Sequence, residues 1–290
     1  MRWTPGGRSR DLDDLRGSGG GRRLGGRLGG GGGRMGIGGL ILLGVLSLIF
    51  KRDLLTPFLG VTTEGGGSAI SAPDPVRDSA EEPMVQFVSF VLDDNQKVWE
   101  ALLTQSGDTY QRARLVLFRD GVESGCGFAE SGVGPFYCPA DQRVYIDLAF
   151  YDELKRRFGA PGDFAQAYVL AHEIGHHVQN LMGINDQVRR AQQADKSQEN
   201  PLSVKMELQA DCFAGVWAHS TSERGILEAG DVEEAMGAAS AVGDDHIQKM
   251  SRGSINPESF THGSSEQRMH WFNEGFRSGL PSACNTFSQR

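Results

Sequence analysis

Residues 172–176 read His-Glu-Ile-Gly-His, a spacing that brings its three polar side chains together on a helix. An α-helix turns by about 100° and rises by about 1.5 Å per residue, so His172 and His176 share a face roughly 6 Å apart. Two imidazoles placed this way can both reach one metal ion at about 2.0–2.1 Å. Glu173 projects beside them, where a carboxylate can hold a water on the metal and take its proton. The flanks carry the helical period, since Phe164, Tyr168, Ala171, Ile174, Val178 and Leu181 or Met182 recur every three or four residues. Pro161-Gly162 stops the preceding element, Asp163 is placed to cap the helix, and Gly183 to break it. Gly175 costs about 1 kcal/mol there relative to alanine, which predicts that another backbone packs close to the histidine face.

A catalytic zinc takes three protein ligands and keeps one position open, so a third side chain is needed. The extended pattern HExxHxxGxxH would need glycine at 179 and histidine at 182, but these positions hold Gln179 and Met182, which excludes it. A carboxylate on a later helix is the other source. Lys205 to Asp211 opens a long apolar helix running through Phe213, Val216 and Trp217, with Asn200-Pro201 marking its start. Glu207 is the expected third ligand. Asp211 falls one turn later on the same face, where it can accept the free ring N–H of a ligating histidine, His172 first, and fix its tautomer. A solvated acidic face is the rival reading, and it leaves the adjoining Ala210, Cys212, Phe213 and Ala214 unexplained.

Three stretches, HEIGHHVQ at 172–179, ELQADCFAGVWA at 207–218 and THGSSEQRMHWFNEGF at 261–276, resemble the neutral zinc metallopeptidase family of bacteria. The first two also resemble the gluzincin group, to which thermolysin belongs, in which HExxH is completed by the glutamate of an ExxxD helix. The likeness covers most of residues 81–290 and leaves out the Gly/Arg-rich N-terminus. It implies Zn2+ held by His172, His176 and Glu207, Glu173 as general base and acid, and Asp211 behind the ligands. The expected reaction is hydrolysis of a peptide bond in a peptide or protein substrate. A metal-binding cell-envelope factor without hydrolytic activity is the alternative.

His177 is turned about 100° from His176, which points to a surface or packing role and not to ligation. A group to stabilise the oxyanion is expected among the downstream histidines 246, 262 and 270. His262 is favoured as this catalytic residue because it lies in a Gly/Ser-flanked loop just before a helix capped by Ser264 or Ser265; a plain loop histidine is the alternative. Residues 142–147 alternate as a strand, which at an exposed edge could pair with the substrate main chain; a core strand is the default otherwise.

The N-terminal region concerns location. Residues 1–34 hold eight arginines, three aspartates and Gly runs, a composition expected to stay disordered. Residues 35–50 carry no charge; as a helix they span about 24 Å of a hydrocarbon core of about 30 Å, and snorkelling by Arg34, Lys51 and Arg52 can close the gap. No small-x-small site follows promptly, so an uncleaved single transmembrane helix is expected in place of a cleaved signal peptide. The arginine excess before it predicts a cytoplasmic N-terminus and an extracytoplasmic catalytic domain at the cell membrane. All four cysteines follow the span and suit an oxidising compartment, with Cys126–Cys138 and Cys212–Cys284 the expected pairs among three possible pairings. The net charge is -8, and the first 52 residues hold ten Lys plus Arg against three acids, so the remainder is strongly acidic and unsuited to binding nucleic acid. Residues 51–80, rich in Gly, Ser, Thr and Pro, read as a flexible linker. The domain at 81–290 opens with an amphipathic helix from Met84 through Trp99 to Leu103, then a strand at 113–118. The expected fold class is α+β, a helix-dominated zincin-like domain with a small β-sheet beside the active-site helix.

Overall fold

The computed structural model describes residues 1–17, 74–158 and 162–288. The apolar stretch 35–50, the rest of the Gly/Arg-rich segment and most of the expected linker lie outside these residues. The fold is helix-dominated α+β. In chain order come β1 (Leu12–Asp14), α1 (Pro75–Gln105), β2 (Arg114–Phe118), β3 (Gly121–Ser124), β4 (Gly127–Glu130), β5 (Phe136–Cys138) and β6 (Arg143–Asp147). There follow α2 (Ala149–Phe158), α3 (Asp163–Leu181), α4 (Ile184–Ala194), α5 (Glu199–Glu223), α6 (Asp231–Ala241), α7 (Asp244–Arg252) and α8 (Ser265–Ser278).

Helix α1 starts well before Met84 because Asp74 caps it, accepting a hydrogen bond from the Arg77 N–H, and Pro75 fits the first turn, where its missing N–H costs nothing. Residues 75–80 therefore belong to the helix and not to a linker. Helix α3 begins with Asp163 inside its first turn and Gly162 as the N-cap. The aspartate expected to cap this helix instead faces the α-amino group of Met1 at 2.8 Å.

One sheet runs β1-β2-β6-β5, with β1, β2 and β6 parallel and β5 antiparallel at the edge; β3 and β4 form a separate hairpin. The strand at 142–147, a candidate edge, is thus an inner one, and Val144 to Asp147 are buried between β2 and β5. Its three consecutive apolar residues, Val144, Tyr145 and Ile146, suit a strand covered on both faces. Among the described residues, β5 is the sheet edge beside the site.

Helix α3 packs against α1, α5 and α6, and α5 packs against α8. Phe164 stacks on Trp217, and Trp99 meets Phe213 edge-on, so α1, α3 and α5 share one core. Each such ring removes enough apolar surface to contribute about 1.5–3 kcal/mol. The α3–α5 approach is close: a β-carbon on Gly175 would lie 3.0 Å from the Ala210 carbonyl oxygen. This is the close backbone contact that the mid-helix glycine predicts. Gly275 plays the same part where α8 crosses α5 at the Cys212 carbonyl.

Residues 1–17 depart from the expected disorder. β1 pairs in parallel with β2, Trp3 packs edge-on against Phe87, and Arg16, almost fully buried, bridges Asp14 and Glu81 at 2.8 Å each. The Gly runs that dominate the composition of 1–34 begin after this stretch, whose arginines find carboxylates on α1. β1 and β2 belong to one sheet, so residues 12–14 are part of the folded domain. Among the described residues no helix is long and apolar enough to cross a membrane.

The four cysteines form the two expected bridges. Cys126–Cys138 ties the β3–β4 turn to β5. Cys212–Cys284 ties α5 to the segment after α8.

Candidate metal centre

Helix α3 presents His172 and His176 one turn apart, and α5 crosses it at Gly175 with Glu207 facing them. Glu207 Oε2 lies 3.2 Å from His172 Nε2, and Oε1 lies 3.4 Å from His176 Nε2. A tetrahedral ion with bonds of about 2.0–2.1 Å holds its ligand atoms about 3.3–3.4 Å apart, so this donor set fits zinc in spacing and in kind. These three residues form a cluster able to hold a metal. A second acidic cluster, Asp163, Asp231 and Glu234, lies around the Met1 amine.

Behind this cluster the polar atoms are closely paired. Asp211 is fully buried and accepts from His172 Nδ1 at 2.8 Å, from the Tyr168 hydroxyl at 2.5 Å, and from Arg268 Nε and Nη2 at 2.8 and 2.9 Å. With Nδ1 bound to Asp211, His172 turns its Nε2 toward Glu207. His176 Nδ1 meets Gln179 Oε1 at 2.8 Å. His177 is buried away from this cluster, its ring nitrogens at the Tyr137 hydroxyl and the Gln111 carbonyl, so it serves packing.

The electrostatics divide the two cavity carboxylates. Burial opposes ionisation of Glu207, but the two imidazoles outweigh it and hold its pKa well below the usual range. Burial raises the pKa of Glu173, and His172 and His176 offset that only in part. Burial likewise disfavours charge on His172, yet Asp211 and Glu207 push its pKa up to about 10. The cage is built to hold positive charge.

A cavity of about 380 Å³ opens onto this cluster. His172, Glu173, His176 and Glu207 line it on one side, Phe136, Tyr137 and Phe150 on another, and His262 and Arg268 complete the wall. The structure thus brings every sequence-derived site residue but Asp211 to one cavity, and Asp211 stands directly behind it. His262 is oriented by Asp244, which also accepts the backbone N–H groups of residues 261, 262 and 263.

Three participants escaped the sequence reading. Tyr168 and Gln179 lie on the histidine face of α3, at four residues before His172 and three after His176. Arg268 had a signal, for it sits on the apolar face of α8 with Trp271, Phe272 and Gly275, all buried. A buried arginine needs a buried carboxylate.

Over residues 1–287 the chain matches the family described as "Putative neutral zinc metallopeptidase". The chain belongs to this family. The match includes the N-terminus, in keeping with the docking of residues 1–17. The chain is 48% identical over 296 residues to Uncharacterized protein YpfJ of Escherichia coli, covering 100% of this chain and 99% of that one. It is 46% identical over 202 residues to Uncharacterized protein Rv2575 of Mycobacterium tuberculosis, covering 66% of each. No solved structure matches it.

Proposed function

We propose that this protein is a zinc-dependent peptidase that hydrolyses a peptide bond in a peptide or protein substrate, with His172, His176 and Glu207 holding the metal. The observation that carries this reading is the convergence of two imidazole Nε2 atoms on one carboxylate, in a cavity that Glu173 also lines. Zinc bound there supplies Lewis acidity toward water and the scissile carbonyl. Glu173, with its raised proton affinity, takes a proton from the attacking water and delivers it to the leaving amine as the C–N bond breaks. His262, which lines the same cavity and is held by Asp244, is the candidate to stabilise the carbonyl oxygen as charge develops on it. The outer edge of β5, whose Phe136 and Tyr137 line the cavity, has no strand partner among the described residues and offers main-chain groups to an extended substrate.

The domain is assigned to an oxidising, extracytoplasmic compartment, which two disulfides favour. Membrane attachment through residues 35–50 is compatible with the β1–β2 pairing when residues 12–14 and the domain lie on the same side of the membrane.

Glu173→Gln tests the mechanism. It should retain stoichiometric zinc and lose about 10²–10⁴-fold in turnover, whereas undiminished hydrolysis refutes the assignment. Zinc content without turnover across a broad peptide library identifies the chain as a metal-binding envelope factor instead.

A further inference from the structure

Gln179 is the residue at which the extended histidine motif fails, and it contacts His176. Its Nε2 donates to the Met206 carbonyl at 2.7 Å and to Gln209 Oε1 at 3.0 Å, while its Oε1 faces His176 Nδ1 at 2.8 Å. The two ends of this amide are not interchangeable. A backbone carbonyl only accepts, so the group next to the Met206 oxygen must be the NH2. Gln209 is fixed in the same way, since its Nε2 donates to the Cys284 carbonyl at 2.9 Å and leaves its oxygen toward Gln179. Both hydrogens of the Gln179 amide are then committed to acceptors, and its oxygen can only receive the proton on His176 Nδ1. Gln179 is fully buried and Gln209 nearly so, which keeps water from competing.

We propose that Gln179 is a positioning residue: locked by Gln209 and by the Met206 and Cys284 carbonyls, it holds His176 in the Nδ1–H tautomer with the Nε2 lone pair on the Glu207 side. The significance for zinc rests on reading His176 as a metal ligand. The two imidazoles are then oriented by different means, His172 by a buried carboxylate that Arg268 neutralises, His176 by a neutral amide. The second device adds no negative charge to the cage. It also links the ligand helix to the Cys212–Cys284 bridge through the Cys284 carbonyl.

The tautomer is directly measurable. Long-range 1H–15N spectra of the metal-free full chain, taken at a pH high enough that the His176 ring is neutral and assigned by comparison with His176→Gln, should show the single ring proton at Nδ1. A ring protonated at Nε2 overturns the proposal. Chelator competition should show zinc affinity about 10–100-fold weaker in Gln179→Leu with the fold intact by circular dichroism. A folded Gln179→Leu within about twofold of the unsubstituted chain also overturns it. Should Gln179→Leu fail to fold, the spectrum of the unsubstituted chain still decides. If that chain takes up no zinc, the metal reading of the site fails separately, and the tautomer still tests the relay.

Discussion

Arg268→Leu should be among the most damaging single changes in this protein, although no sequence motif marks the residue. Its guanidinium is 4% exposed and its partner Asp211 0%. Arg268 Nε binds Asp211 Oδ2, and Nη2 binds Oδ1, the oxygen that also receives Tyr168 and His172. Leucine keeps much of the apolar stem but leaves Oδ2 facing a hydrocarbon surface with its charge uncompensated. Removing one partner of a buried ion pair costs about 3–5 kcal/mol. Against a total of about 5–15 kcal/mol, that loss is a large fraction of the stability.

Urea unfolding followed by tryptophan fluorescence, at fixed free zinc, measures it. With a slope of about 3 kcal/mol per molar, the midpoint should fall by roughly 1–1.7 M with the slope unchanged. Asp211→Asn in the same background should recover part of the loss, because the stranded charge is gone, giving a coupling of about 0.5–3 kcal/mol. A loss below about 1 kcal/mol, or an additive double-mutant cycle, would refute the view that the pair is one electrostatic unit.

The disulfides should differ in worth: loop lengths set by separations of 72 and 12 residues give about 4 kcal/mol for Cys212–Cys284 and about 3 for Cys126–Cys138. Paired serine substitutions compared by denaturant midpoint check the order, and a larger loss from the shorter bridge contradicts it. Burial opposes ionisation of Asp14 and Glu81, but neighbouring arginines outweigh it and hold both pKa values low. The stability these groups contribute is present above their ordinary pKa of about 4 and lost as pH falls through the lower folded values. The N-terminal strand should therefore release in acid before the domain unfolds, seen as fast hydrogen exchange at residues 12–14; exchange that tracks global unfolding argues otherwise. Gly175→Ala should weaken zinc binding and lower the melting temperature, although alanine favours helix by about 1 kcal/mol, because its β-carbon meets Ala210 at 3.0 Å. A raised melting temperature with unchanged zinc affinity would show that the helices part without cost.

What was legible in the sequence follows from periodicity. HExxH and ExxxD each place two side chains on one helix face by local geometry alone, so four site residues could be read before any packing was known. Gly175 even announced the crossing that joins the two helices. The partners from elsewhere were not legible in this way. Arg268 reaches Asp211 from α8, a distant part of the chain, and nothing local in residues 261–276 says which carboxylate it meets. Composition failed at the N-terminus for a related reason. Averaging over residues 1–34 merged a Gly-rich tract with a short stretch whose Trp3, Leu12 and arginines have partners on α1 and β2. The inner position of residues 143–147 was hidden because a covered strand and an alternating edge strand differ by only a few residues at this length.

The two carboxylates that line the cavity show what the crossing of α3 and α5 achieves. Glu173 is buried and Glu207 largely so, and desolvation drives both toward the neutral form. Glu207 escapes because it faces both imidazole Nε2 atoms, whereas Glu173 shares the helix of those histidines and cannot turn between them. One acid is thus held ionised, as a cation ligand must be, and its neighbour is left with a raised proton affinity, as a group that takes and returns a proton must be. The division depends on Glu207 arriving from a second helix at the height of the glycine between the histidines. Any change that retracts α5 from Gly175 should therefore raise the pKa of Glu207 as well as weaken zinc, so that loss of the metal and loss of the acid–base asymmetry occur together.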